Sequence, residues 1–83
     1  MLNETSMKRI KLKGIKNPSK FEDAVDSSLI DIAYVETTIG GIITLSIDSE
    51  VEIKNTKDKE WILELVNMVL TECEETSAEV SFE

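Results

Sequence analysis

A glycine pair, Gly40 and Gly41, divides two β-branched runs in the stretch TTIGGIIT, residues 37–44. Two-residue hairpin loops need positive φ, which glycine adopts without a Cβ clash. With this pair as the loop, Ile39 faces Ile42, Tyr34 faces Ile47, Ile32 faces Ser49 and Ile30 faces Val51. The second arm alternates. Ile43, Leu45, Ile47, Val51 and Ile53 fall on one side, and Thr44, Ser46, Asp48, Glu50, Glu52 and Lys54 on the other. A period of two marks a half-buried antiparallel strand. The same register puts Ile30, Ile32 and Tyr34 on the apolar side. It also sets Asp31 against Glu50 outside, a like-charge pair that destabilises slightly. A strand over residues 42–54 would run roughly 40 Å at the usual rise, so a bend or bulge is expected near Ser49.

The flanks supply further elements. MKRIKLKG, residues 7–14, reads as a strand with Ile10 and Leu12 inward and Arg9, Lys11 and Lys13 outward. Ser19 and Glu22 have capping-box spacing behind Pro18. This predicts a helix of about two turns over residues 19–27, with Phe21, Ala24, Val25 and Ser28 on one face. A plain loop is the alternative. From Thr56 a longer helix is expected, capped by Thr56 and favoured by Asp58 and Glu60 in its first turn. Its apolar stripe is Trp61, Ile62, Leu65, Val66, Val69 and Cys73, widened by Met68 and Leu70. Glu72, Glu74 and Glu75 oppose the helix dipole and are expected to fray that end. AEVSFE, residues 78–83, alternates as a short closing strand.

The order β-α-β-β-α-β resembles the ferredoxin-like topology, an antiparallel sheet with a long and a short helix on one face. The resemblance is to an arrangement and rests on no family motif. It implies that the first strand lies between the third and the last. Arg9, Lys11 and Lys13 would then stand between Asp48, Glu50 and Glu52 on one side and Glu79 and Glu83 on the other. A three-stranded meander with one packed helix is the rival. Residues 1–6 read as a flexible N-terminus and residues 7–83 as one α+β domain.

Charge is uneven. The net charge is −8, yet residues 1–20 hold six bases against Glu4, and no base follows Lys59. Such a field repels nucleic acid and anionic membranes and attracts basic protein surfaces. Simple solubility is the plain alternative use of that charge. With one Cys no internal disulfide forms, and no apolar run is long enough to span a bilayer. A cytoplasmic location is expected.

Chemistry is sparse. The chain has no histidine, which removes the usual general base and the commonest transition-metal ligand. Cys73, on the apolar stripe among carboxylates, reads as an unreactive core thiol. No acid cluster has calcium-loop spacing, and no metal or cofactor is expected. The aromatics Phe21, Tyr34, Trp61 and Phe82 all fall on inward positions, which disfavours a base-stacking platform. Trp61 is placed in the core, with a half-exposed partner anchor as its alternative role.

The expectation is therefore a non-enzymatic protein-binding module. Its acidic surface of Asp48, Glu50, Glu52, Glu60, Glu64, Glu72 and Glu75 would dock on a basic protein surface. In its sharper form the chain mimics nucleic acid and inhibits a nucleic-acid-handling protein. The alternative is an assembly subunit that dimerises through the apolar edge LIDIAYVET, residues 29–37, where only Asp31 and Glu36 blunt the edge.

Overall fold

The computed structural model describes residues 8–82, and the expected flexible stretch 1–6 lies outside them. Six elements follow in the order β1 (Arg9–Lys13), α1 (Pro18–Ser28), β2 (Ala33–Ile39), β3 (Ile42–Ile47), α2 (Thr56–Glu72) and β4 (Glu79–Phe82). The chain is α+β, with a four-stranded sheet in the order β2-β3-β1-β4. Every neighbouring pair is antiparallel. The meander is thereby excluded, and β1 lies between β3 and β4.

The hairpin closes at the glycines, with Ile39 opposite Ile42. Gly40 has φ +60° while Gly41 does not take positive φ, the sign pattern of a II′ loop. Gly41 is needed for another reason. A Cβ there would stand 3.0 Å from the Ile15 carbonyl oxygen, because Ile15 N–H donates to the Gly41 carbonyl at 3.0 Å.

Farther from the loop the expected register fails. A bulge between Val35 and Thr37 shifts the pairing, so that Tyr34 faces Ser46 and Ala33 faces Ile47. The unbulged ladder would have set Glu36 opposite Leu45, a fully buried position. Burying an unpaired carboxylate costs far more than one disrupted ladder bond. Shifting by one residue exchanges the two faces. Ala33 becomes core and Val35 packs beside it, whereas Tyr34 is 54% exposed and Ile30 is exposed. Of the three residues expected inward, only Ile32 packs against the core.

The second arm breaks where the bend near Ser49 was expected. β3 stops at Ile47, and the chain turns over residues 48–51, with Val51 N–H donating to Asp48 O at 2.9 Å. Asp48 Oδ1 accepts from Glu50 N–H at 2.9 Å and fixes that turn. Asp48, Glu50 and Glu52 therefore share no strand face, and Asp31 does not oppose Glu50 on a ladder.

Both helices start one or two residues earlier than the capping signals suggested. Asn17 caps α1, accepting from Lys20 N–H at 3.3 Å. Asn55 caps α2, accepting from Asp58 N–H at 3.1 Å. Asp58 reaches back to Lys54 N–H at 2.8 Å. α1 spans 11 residues, about three turns rather than two. It packs against β2 and α2. Ile10, Leu12, Ile43, Leu45 and Ile47 of the sheet join Phe21, Val25, Ile62, Val66 and Val69 of the helices in one core.

α2 ends in a Schellman motif. Glu75 N–H donates to Leu70 O at 2.8 Å, Glu74 N–H donates to Thr71 O at 3.1 Å, and Glu74 has φ +60°. The acidic end therefore closes tightly instead of fraying. Glu75 folds inward, only 2% exposed. Its two carboxylate oxygens accept from Lys16 N–H at 2.9 Å and Asn17 N–H at 2.8 Å. The end of α2 is thus clamped to the segment joining β1 and α1.

Candidate functional site

The outer side of α2 is the first surface with the makings of a site. Its core-facing row is Ile62, Val66, Val69 and Leu70. At 100° per residue, Trp61, Met68 and Glu72 fall within about 40° of one another, off that row. Trp61 is 47% exposed and Met68 is 59% exposed. The expectation of Trp61 in the core is corrected. The stripe buried against the sheet is narrower than the sequence suggested, and Trp61 and Met68 lie on its outer flank, two turns apart. Glu60, Glu64 and Glu72 are exposed around them, with Lys57 in the first turn. Glu64, Asn67, Met68, Thr71 and Glu72 line a shallow open groove.

The remaining expected acids do not join this surface. Glu50 and Glu52 lie on the loop before α2, and Glu52 pairs with Lys54 at 2.9 Å. That contact raises the Lys54 ammonium above its ordinary pKa. Asp48 is half-buried and engaged with its own turn. Glu75 belongs to the interior. The hydrogen bonds from the Lys16 and Asn17 backbone hold its carboxyl below the usual carboxylate value. Cys73 is buried. Burial pushes its thiol up, Lys20 opposes that, and Glu72 and Glu75 add to it.

A second surface is the open face of the sheet, which sequence reasoning filled with cross-strand ion pairs. β1 carries Arg9, Lys11 and Lys13 down its middle. Register sets Arg9 beside Ser46, and Lys11 between Thr44 and Ser81. It sets Lys13 beside Glu79. Tyr34, Thr37, Ile39 and Ile42 complete the face on the β2 side. Arg9 pairs not with the acids of residues 48–52 but with Glu36. Its Nε lies 2.7 Å from Glu36 Oε1 and its Nη2 3.2 Å from Oε2. The bulge brings Glu36 to this face, and the guanidinium hydrogen bond lowers its carboxyl pKa. Glu83 lies outside the described residues. The exposure of Tyr34 was missed, yet one signal could have found it: an unbroken ladder buries Glu36.

Among the described residues, no three His, Cys, Asp or Glu side chains are placed to hold a metal ion. No helix among them is long and apolar enough to cross a membrane. The arrangement leaves two exposed faces, one acidic and apolar on α2, the other mixed and base-bearing on the sheet. No family model, no curated protein and no solved structure matches this chain.

Proposed function

We propose that this chain is a non-enzymatic binding module that docks through the outer face of α2 onto a basic surface of another protein. The observation that carries the reading is the exposure of Trp61 and Met68 on one helix stripe bordered by Glu60, Glu64 and Glu72. Half-exposed tryptophan is a favoured interface anchor, and truncating such an anchor costs about 2 kcal/mol or more of binding energy. The carboxylates would steer a basic partner and set its orientation. The nucleic-acid-mimicking inhibitor is the narrower form of this reading. It draws on Glu60, Glu64 and Glu72, with Glu50 and Glu52 on the adjoining loop, and no longer on Glu75. The β-α-β-β-α-β succession, with β1 between β3 and β4, supports a ferredoxin-like scaffold as the frame that presents α2.

Partner capture from a cell extract at low and high salt, with the native chain and with Trp61→Ala and Glu64→Lys, tests the reading. The expected result is a basic protein retained by the native chain, released by salt and lost from both variants. Equal retention by the native chain and Trp61→Ala overturns it. Dimerisation through a sheet edge is the second reading. It is supported by the edge position of β2 and the exposed Ile39. The bulge at Glu36 works against it, since bulged edges pair poorly with another strand.

A further inference from the structure

The open face of the sheet is the largest feature that the α2 reading leaves unused. Among the described residues, no helix covers it, because the core residues of both helices and all strands form one cluster on the opposite side. Its β1 column of Arg9, Lys11 and Lys13 is bordered on the β2 side by Tyr34, Ile39 and Ile42, all exposed. The outer face of α2 offers the converse, exposed Trp61 and Met68 among Glu60, Glu64 and Glu72. We propose that the open sheet face of one copy is covered by the α2 face of a second copy, so that copies associate head to tail.

The spacings agree. Lys11 and Lys13 are two strand residues apart, about 6.6 Å. Glu60 and Glu64 are four helix residues apart, about 6 Å. A helix laid along β1 can therefore set Glu60 and Glu64 beside Lys11 and Lys13 in one register, while Trp61 and Met68 reach toward the apolar flank. Glu36 and Glu79 share the sheet face, so charge there sets register and partner choice rather than supplying most of the affinity. Burial of the aromatic and aliphatic side chains supplies that. A nucleic-acid strand could use the same bases; the acid excess of the chain opposes a polyanion and also opposes a second copy, so self-association should strengthen as salt screens that repulsion. The two faces lie on opposite sides of the molecule. The contact is therefore heterologous, and repetition builds an open chain or a ring rather than a closed two-fold dimer.

This inference rests on α2 being a docking face. Sedimentation velocity over a wide dilution series tests it. The native chain is expected to sediment faster with rising concentration, past the dimer. Trp61→Ala, which blocks the helix face, and Lys11→Glu with Lys13→Glu, which blocks the sheet face, are each expected to stay monomeric. Mixing the two variants leaves one intact helix face and one intact sheet face, so the mixture is expected to stop at a dimer. Ile39→Ser with Ile42→Ser blocks the same sheet face without touching β1, should the lysine variant fail to fold by circular dichroism. A native chain that is monomeric throughout overturns the proposal. So does a dimer that Trp61→Ala leaves intact. Binding of a labelled single-stranded oligonucleotide that the lysine variant loses also overturns it, by giving the face to nucleic acid. If the native chain is monomeric while Trp61→Ala still loses a basic partner from extract, this inference falls alone. If Trp61→Ala loses neither, the α2 reading falls with it.

Discussion

Replacing Glu74 with glycine should make the domain more stable. Glu74 sits one residue past the cap of α2 with φ +60°, and no other non-glycine residue among those described has positive φ. An L-residue in the left-handed region costs about 1–2 kcal/mol. Removing a carboxylate from the negative end of a helix returns about 0.3 kcal/mol at an exposed site. Against these gains, glycine adds unfolded-chain freedom worth about 0.4–1 kcal/mol. The net is a stabilisation of about 1 kcal/mol, or a rise in melting temperature of about 4–8 °C for a domain of this size. Thermal and urea melts followed by circular dichroism measure it. The control is Glu74→Ala, which removes the charge but keeps the Cβ, and should gain only the few tenths of a kcal/mol that belong to the helix end. If the alanine and glycine variants are equally stable, the left-handed turn that closes α2 is not strained. The strain cost assigned to Glu74 would then be refuted.

Four further outcomes are expected. Glu75→Gln should lower the urea midpoint at neutral pH and flatten its acid dependence. The folded carboxyl pKa is depressed below 4.5, so this group's contribution is present above the unfolded value and is lost as pH falls through the folded one. Urea midpoints measured from neutral pH into acid for both chains check this. Gly41→Ala should cost about 1–3 kcal/mol, because its new Cβ meets the Ile15 carbonyl at 3.0 Å. Gly40→Asn has open space around it but must hold φ +60°, so it should cost about 1 kcal/mol. Phe21→Ala, at a fully buried site, should cost about 3–5 kcal/mol. That is a large part of the 5–15 kcal/mol typical of a domain, and equilibrium unfolding will register it.

Local chemistry made much of this fold legible and parity spoiled part of it. The glycine pair placed the hairpin tip, and alternation placed β1, β3 and β4, because both signals act over a few residues. Tyr34 was assigned to the wrong face because one bulged residue reverses the strand beyond it, and Ile30 because it lies in the turn before β2 rather than on a strand. The clue was an acid, Glu36, that an unbroken ladder would have buried. Asn17 and Asn55 were passed over as caps for Ser19 and Thr56, since Ser, Thr and Asn satisfy the same backbone donors and sequence alone does not rank them. Glu75 was read as solvated because the two N–H groups that receive it lie at Lys16 and Asn17, 59 and 58 residues away. No periodicity reports a contact of that separation. Of the expected acidic surface, Glu60, Glu64 and Glu72 stay together because one helix face carries them. Asp48, Glu50 and Glu52 were grouped by an alternation that outlasts the strand itself.

The sheet order also places the first and last described strands side by side. Ile10 of β1 lies directly opposite Phe82 of β4, so β1 starts about 5 Å from where β4 stops. A unit wired in this way can be spliced into a surface loop of a host protein with little distortion of either. Arg9 and Phe82 could also be joined by a short linker and the chain reopened elsewhere, for instance in the turn over residues 48–51, leaving all four strands in place.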